Sequence, residues 1–338
     1  MQLPPPLRHA VDDALKGVAL ADLATASELL SQRYRGEVHD GRWHLGDDRA
    51  ALAYLAARLP ATYAAVRASF EAVVAARPEF APVTALDVGA GPGTALWAAA
   101  DCWSGLADVL LIEASPAIRA WGERLSRGAG PARIVWRTAD AGDGMVDCAA
   151  RDLVTLAYVL GELAPERRDA LIDRLWTLTD GMLVVVEPGT PAGWQRIVAA
   201  RARLIAAGAH LIAPCPHAAP CPLARPDWCH FARRVARSRL HREVKSADVP
   251  WEDEKFIYLA ASRTPGAAFA SRVIARPRPA SGRVTLKLCR NDGVAGERLV
   301  TRREGQVFKA ARRVDWGDIF EPRQPEAVGG EPLASPKG

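Results

Sequence analysis

No apolar run in this 338-residue chain approaches the roughly eighteen residues that a membrane-spanning helix needs. The first residues also lack the basic segment and apolar core of a secretory signal. We therefore expect a cytoplasmic protein without a membrane span. Its six cysteines should stay reduced in that compartment and be buried or bind metal rather than form disulfides.

The composition is that of an ordinary globular protein, with 49% hydrophobic and 25% charged residues. The length suffices for one large domain with additions or for two domains. The net charge of +5 is unevenly distributed, because residues 225–245 carry seven basic side chains against two acidic ones and residues 271–315 carry twelve against four. This bias favours RNA or DNA as a partner, although solvated arginines on helix faces would give the same composition.

Hydrophobic spacing predicts an N-terminal helical unit over residues 1–80. Apolar residues recur at helical spacing over residues 5–35, which predicts one helix. The same spacing recurs over residues 49–76, where Pro60 predicts a division into two helices.

From residue 83 onward, short apolar runs alternate with helical segments. Five such runs, followed by a sixth in EKFIYLAASR, predict an α/β fold with a doubly wound parallel sheet. We assign residues 81–270 to this domain, with a cysteine-containing insertion at 205–245. The arginine-rich sequence ARRVARSRLHREVK within this insertion is predicted to be a helix that faces phosphates.

The C-terminal residues change to alternating apolar and polar side chains. Residues 271–320 therefore predict a small basic β appendage, with strands in RVTLKL, ERLVTRR and GQVFKAARRV and a turn at Asn291-Asp292-Gly293. Residues 321–338 are rich in Pro, Gly and Glu and are expected to be a disordered tail.

The segment LDVGAGPGT follows a predicted strand and opens a helix, so its glycines allow the backbone to approach a ligand. An acid ending the second strand suits ribose hydroxyls, and one ending the third suits an adenine amino group. This order is typical of an S-adenosylmethionine site, while a dinucleotide site and an empty glycine turn are the alternatives. The predicted cofactor-binding residues are Asp87, Gly89, Gly91, Gly93, Glu113 and Asp140.

No sequence motif identifies a catalytic residue. The segment LVTLAYVLGEL replaces the (Asp/Asn)-Pro-Pro-aromatic motif of enzymes that methylate amino groups of nucleic acids, and the cysteine of cytosine-C5 enzymes is missing. Tyr158 and Glu162 could contact a substrate, but we favour the interpretation that Tyr158 caps the pocket and Glu162 begins a helix. The segment Glu187-Pro188-Gly189 is expected to line the same cleft.

Four cysteines in the C-terminal half suit a soft metal centre. Their wide spacing, with 59 residues before the last, lacks the tight C-x₂₋₄-C knuckle of structural zinc and the compact C-x₃-C-x₂-C motif of radical enzymes. We place a [4Fe–4S] cluster first and zinc second, with His217 and His230 as further zinc ligands, while unligated buried cysteines are the third interpretation. The predicted ligands are Cys215, Cys221, Cys229 and Cys289.

Nearly the whole chain resembles the methyltransferase-like assembly factors of the small ribosomal subunit, a family best known from mitochondria that also has bacterial relatives. The resemblance is carried by the segments LPPPLRHAVDDAL, SQRYRG, LDVGAGPGTALWAA, TLAYVLGEL, VVVEPGTPAGW, APCPHAAPCPLARPDWCHF, DEKFIYLAASR, VTLKLC and WGD. The cysteine spacing is its most specific part.

The resemblance implies a class I S-adenosylmethionine-dependent methyltransferase-like fold, a bound S-adenosylmethionine and a [4Fe–4S] cluster on the four cysteines. It also implies contact with the small ribosomal subunit and its rRNA. We expect a monomer. We also expect a bacterial cytoplasmic form, because no Arg/Ser-rich transit peptide is present. An active rRNA methyltransferase and a zinc-containing methyltransferase of another substrate remain the alternatives.

Overall fold

The computed structural model describes residues 1–37, 40–142, 145 and 147–321. One mixed eight-stranded sheet forms its centre. Its strands are β1 (Thr84–Val88), β2 (Asp108–Glu113), β3 (Arg133–Thr138), β4 (Arg151–Ala157), β5 (Thr179–Pro188), β6 (His210–Ala213), β7 (Phe231–Ala236) and β8 (Trp251–Ser262). The helices are α1 (Pro5–Leu15), α2 (Leu20–Arg35), α3 (Asp48–Ala57), α4 (Leu59–Ala76), α5 (Thr94–Cys102), α6 (Pro116–Leu125), α7 (Pro165–Thr177), α8 (Pro191–Ala206) and α9 (Arg239–Val244).

The strand order is β3-β2-β1-β4-β5-β8-β6, with β7 also paired to β8. Strands β1 to β5 are parallel, and β8 runs antiparallel to β5. This arrangement confirms the predicted class I methyltransferase-like α/β fold, except that β6, β7 and β8 pair antiparallel. Because parallel strands end at one edge, the loops after β1, β2 and β4 meet there and form a cleft.

The N-terminal helices share a hydrophobic core with the sheet. Leu7, Leu55 and Phe70 are fully buried in this core. Residues 5–35 form two helices rather than the single predicted helix, since the chain turns at Gly17 with a φ of +81°. Pro60 lies in the first turn of α4, where its missing N–H removes no helical hydrogen bond, so two helices form as predicted.

The prediction of a phosphate-facing helix in ARRVARSRLHREVK is wrong. Most of its first half belongs to β7, because Phe231 and Val235 are buried on one face of a strand paired with β8. Only Arg239–Val244 is helical. Most of its basic side chains form ion pairs within the protein: Arg233 with Glu71, Arg234 with Asp253, Arg237 and Lys245 with Glu252, and Arg239 with Glu243.

The C-terminal appendage is a small antiparallel sheet, as predicted. Its core comprises apolar residues of the sheet and the helix that covers it, including Leu286, Val300 and Phe308. The segment GQVFKAARRV forms a helix instead of the predicted strand, because Phe308 and Ala311 are three residues apart and pack on the sheet together. The elements are β9 (Ser271–Val273), β10 (Arg278–Ala280), β11 (Arg283–Arg290), β12 (Ala295–Thr301) and α10 (Gln306–Ala311).

The predicted turn joins β11 and β12, where Gly293 has a φ of +83° that favours glycine. The predicted disordered tail, residues 321–338, lies outside the described residues from 322 onward. None of the helices in the described part of the chain combines the length and the apolar character that crossing a bilayer requires.

Candidate cofactor cleft and cysteine pocket

The glycine loop between β1 and α5 has the backbone geometry that its sequence predicts. Gly89, Gly91 and Gly93 have φ values of +68°, +55° and +80°. A Cβ atom on Gly89 would lie 2.3 Å from Cγ2 of Val159, so a side chain there would collide with the loop after β4. The loop therefore exposes its peptide groups to the cleft without obstruction by side chains.

Glu113 at the end of β2 holds this loop in place. Its two carboxylate oxygens accept hydrogen bonds from the backbone N–H groups of Gly91 and Ser115, both at 2.8 Å. Burial raises the pKa of Glu113, and these hydrogen bonds oppose the rise. A carboxylate has about four lone-pair sites, so it retains sites for ribose hydroxyls.

Asp87 lies in β1 and is 3% exposed. Oδ1 accepts a hydrogen bond from the Thr155 hydroxyl at 2.6 Å, whereas Oδ2 is buried and has no partner among the described residues. Burial raises the pKa of Asp87 to about 7, against the effect of the hydrogen bond from Thr155. Asp87 thus carries a proton in the folded protein at mildly acidic pH.

Asp87→Asn is expected to reduce the loss of stability between about pH 4 and pH 7. The pKa of Asp87 is 3.8 without the fold and about 7 within it, so the folded state binds more protons in this window and becomes less stable as pH rises. An asparagine amide does not titrate. The melting temperature should fall less from pH 4.5 to pH 7 for Asp87→Asn than for the wild type or for Asp169→Asn, a control at an exposed position. Equal falls in all three proteins would contradict the raised pKa of Asp87.

Gly89, Gly91, Glu113 and Asp140 line a cavity of about 1490 Å³. Asp140, after β3, accepts hydrogen bonds from the Gly142 N–H at 2.8 Å and from Arg167 at 2.6 Å. The structure therefore brings four of the six predicted cofactor residues to one cleft. The other two predicted residues, Asp87 and Gly93, do not line the cavity. Asp87 lies within β1, and Gly93 directly precedes α5, so they lie at the two ends of the glycine loop.

Three carboxylates interact at the glycine-loop side of this cleft. Burial, together with the negative charges of Glu113 and Glu187, raises the pKa of Glu162 to about 8. Glu187 is fully buried and accepts hydrogen bonds from the Leu160 N–H at 3.1 Å and from Arg196 at 2.7 Å. Glu162 ends a short 3₁₀ helix, rather than beginning the longer helix that its sequence suggested.

Tyr158 lines the cleft together with Tyr34, Arg58 and Glu254. The hydroxyl of Tyr158 donates a hydrogen bond to Glu254 at 3.0 Å, and the φ of Tyr158 is +62°. Arg58, between α3 and α4, lies over the ring of Tyr34 at 5.6 Å. These side chains come from four separate parts of the chain, and sequence patterns identified only Tyr158.

The four predicted metal ligands, Cys215, Cys221, Cys229 and Cys289, lie within range of one another's charge, and we call the place where they lie the cysteine pocket. Cys289 is buried on β11, and the other three are half-buried in the segment between β6 and β7. Burial and the neighbouring thiolates raise the pKa of Cys229 well above its usual value, and burial with the charges of Cys215 and Cys221 raises that of Cys289 to about 12.

The histidine alternatives are only partly supported by the pocket. Nε2 of His217 lies 3.4 Å from Sγ of Cys289, whereas His230 stacks on Trp228. Among the described residues, no three His, Cys, Asp or Glu side chains form a group that could hold a metal ion.

The cysteine segment is bonded to both neighbouring parts of the protein. The Trp228 indole N–H donates to the Gly189 carbonyl at 3.1 Å, and Gly189 lines the cofactor cleft. Lys287 of β11 donates to both oxygens of Asp227, at 2.6 and 2.5 Å. The segment therefore connects the cleft to the appendage.

Comparison with known proteins gives a family. Residues 48–321 match the family model described as mitochondrial small ribosomal subunit Rsm22. The chain is 30% identical over 300 residues to the human mitochondrial ribosome assembly protein METTL17, covering 82% of this chain and 64% of that protein. It is 24% identical over 352 residues to the mitochondrial Rsm22-cox11 tandem protein 2 of Schizosaccharomyces pombe, covering 88% of this chain and 46% of that protein. The chain therefore spans less than two thirds of either relative.

Solved structures with a similar fold include a magnesium protoporphyrin IX methyltransferase from Synechocystis PCC 6803 with bound S-adenosylmethionine. It is 17% identical with a TM-score of 0.40, covering 74% of this chain and all of that one. An O-methyltransferase family protein from Burkholderia thailandensis is 14% identical with a TM-score of 0.44, covering 74% of each chain. Because the family model matches most of the chain and the human relative is 30% identical across 82% of it, this chain belongs to the methyltransferase-like Rsm22 family.

Proposed function

We propose that this protein assists the assembly of the small ribosomal subunit by binding its rRNA, and that it holds S-adenosylmethionine and a [4Fe–4S] cluster. The family match carries the ribosomal role, since the human relative is named a ribosome assembly protein. The relatives are named as mitochondrial, whereas a cytoplasmic location for this chain remains our prediction.

The charge of the cleft supports S-adenosylmethionine over a dinucleotide. S-adenosylmethionine carries a sulfonium and an ammonium group. A cation beside Glu113, Glu162 and Glu187 would favour the ionised forms of these acids, which burial disfavours in its absence. A dinucleotide would place an anionic pyrophosphate near the same acids. The bare glycine loop and Glu113 would hold the adenosine part, and Asp140 would contact the adenine.

Glu113→Ala is expected to weaken S-adenosylmethionine binding by roughly 10- to 100-fold, since a hydrogen bond to a charged group contributes about 1.5–3 kcal/mol. The variant also removes the acceptor of the Gly91 N–H. Isothermal titration calorimetry measures the effect. Glu123→Ala, which removes an exposed partner of Arg119 on α6, serves as the control and should bind as the wild type does. Equal affinities of both variants would place the cofactor elsewhere.

The donor chemistry of the cysteine pocket supports a thiolate-ligated metal group. Four thiols there lie within range of one another's charge, and two buried arginines, Arg201 and Arg272, lie beside them with side-chain N–H groups that lack a protein acceptor in the described structure. A [4Fe–4S] cluster on these cysteines would supply a rigid cross-link. It would fix the segment between β6 and β7 against β11 and so position the appendage.

Six exposed cations of the appendage, which we together call the unpaired basic face, support contact with RNA. They form no ion pair within the described residues, unlike most of the cations around β7. A shallow hollow between Arg302 and Arg312, with Pro279 and Phe308 in its wall, lies within it. Unpaired cations are free to displace counterions from RNA phosphates. The face comprises Arg283, Arg302, Arg303, Lys309, Arg312 and Arg313.

We favour binding of the cofactor without methyl transfer. The position after β4, where amino-methylating enzymes carry their motif, is occupied by Tyr158, whose hydroxyl is already bonded to Glu254. Methyl marks in small-subunit rRNA, mapped with and without the gene, separate the two cases. An unchanged map supports a binding role, and the disappearance of a mark supports an active rRNA methyltransferase.

Sedimentation of the full chain with small-subunit precursors tests the ribosomal role. We expect the anaerobically purified protein to sediment with the precursors at low salt and to be released as salt rises. If the protein remains at the top of the gradient at low salt, the proposed ribosomal role is wrong.

A further inference from the structure

Two arginines carry buried charge beside the cysteine pocket. Arg201 of α8 and Arg272 of β9 are each 4% exposed. Arg201 donates to the carbonyls of His217 and Ala219, both at 2.7 Å. Both side chains thus bond to backbone near the cysteines, since Arg272 donates to the carbonyl of Pro214 at 3.0 Å and to that of Gly317 at 2.9 Å.

Neither arginine has a carboxylate partner in the described part of the chain. Nε of Arg201 and Nη2 of Arg272 are buried and have no acceptor there. Asp292, which lies near Cys289, instead bonds to Arg290 at 2.8 Å. Two buried charges without counterions are strongly destabilising, so an anionic group is needed at this place.

The thiols are the anionic partners available to both guanidinium groups. The arginines bond to the carbonyls of Pro214, His217 and Ala219, which lie within four residues of Cys215. The charges of both arginines act on Cys215, and that of Arg272 also acts on Cys229. A metal group held by four thiolates, either an oxidised [4Fe–4S] cluster or a zinc ion, carries two net negative charges. Two arginines balance that charge.

We infer that Arg201 and Arg272 are the counterions of a thiolate-ligated metal group at the cysteine pocket, where they retain the group and raise its reduction potential. This inference rests on the proposed metal group. When an external reductant such as dithionite gives the cluster one electron, the cluster becomes more negative, and nearby positive charge stabilises that reduced state. Loss of either guanidinium therefore makes reduction harder and lowers the potential.

The test compares Arg201→Met and Arg272→Met, which remove the charge, with Arg201→Lys and Arg272→Lys, which keep it. Arg263→Met is the control, because Arg263 also donates to two backbone carbonyls, those of Thr179 and Trp176, but lies outside the pocket. The full-length proteins are reconstituted anaerobically with iron and sulfide. Iron retention and a dithionite titration followed by electron paramagnetic resonance are then measured.

We expect the methionine variants to retain metal roughly 10- to 100-fold less well or to have a lower potential, with the lysine variants between them and the wild type. Methionine variants that match the Arg263→Met control in both measurements would overturn the inference, as would lysine variants that lose as much metal as methionine variants. If the wild type takes up zinc instead of iron, the cluster proposal fails. The counterion role is then tested by the rate at which a chelator removes zinc, which should be faster from the methionine variants than from the Arg263→Met control. A wild type that holds neither metal overturns both the proposed metal group and the counterion role.

Discussion

The anaerobically purified Cys229→Ser variant is expected to contain almost no iron. It is also expected not to sediment with small-subunit precursors. Serine does not replace a thiolate ligand, and Cys229 lies between the cleft-bonded Trp228 and the start of β7. Loss of the cross-link should loosen the attachment of the appendage. Iron content per chain and gradient sedimentation measure the two effects.

Cys102→Ser is the control for this substitution. Cys102 ends α5, where its thiol accepts a hydrogen bond from Arg67 at 2.8 Å. It should retain iron and ribosomal sedimentation. If Cys229→Ser retains as much iron as Cys102→Ser, Cys229 is not a ligand. If it loses iron but still sediments with the precursors, the cluster does not contribute to the RNA-binding surface.

The second large effect concerns the unpaired basic face. Combining Arg302→Gln, Arg303→Gln and Arg312→Gln is expected to weaken binding to a small-subunit rRNA fragment by roughly 30- to 100-fold near physiological salt. The slope of log affinity against log salt should also become shallower by about 0.7 to 0.9 for every phosphate that is no longer neutralised. Filter binding across a salt series measures both quantities.

A matched triple variant separates unpaired cations from paired ones. Arg278, Arg290 and Arg298 lie on the same appendage but bond to Glu297, Asp292 and Glu304. Replacing these three with glutamine should change the affinity only a few-fold, because their charge is already neutralised locally. Equal losses in both triple variants would show that net charge, rather than this face, determines RNA binding.

Most residues predicted to bind the cofactor could be placed near one cleft from the sequence because their signals are local. Three glycines within five residues require positive φ, and Glu113 and Asp140 directly follow or end strands whose apolar runs are clear. Strand order then brings such residues together, because parallel strands end at the same edge. The four cysteines likewise carried their own signal in their spacing.

The errors came from segments whose structure depends on tertiary packing. Phe231–Ala236 has the arginine content of an exposed helix, yet its arginines find acidic partners on β8 and α4, and its two buried residues, Phe231 and Val235, lie on one face of a strand. In the appendage, the segment GQVFKAARRV is too short for its apolar pattern to distinguish a strand from a helix. Packing of both Phe308 and Ala311 on the sheet selects the helix, since residues three apart share a face only there.

The role of Arg201 and Arg272 also depends on tertiary packing and could not be predicted from the sequence. Nothing in their local sequences distinguishes them from the many exposed arginines of the chain. Their role emerges only when the fold buries both beside the thiols without a carboxylate in the described structure. The same holds for Arg58 and Glu254, which meet Tyr158 only through the tertiary fold.

Metal and sulfide content of the anaerobically purified wild-type protein tests the central claim most directly. A brown protein with about four iron atoms and as many sulfides per chain is the expected result, since one cubane cluster on four cysteines contains that number. A colourless protein with one zinc ion, or with no metal at all, would contradict it.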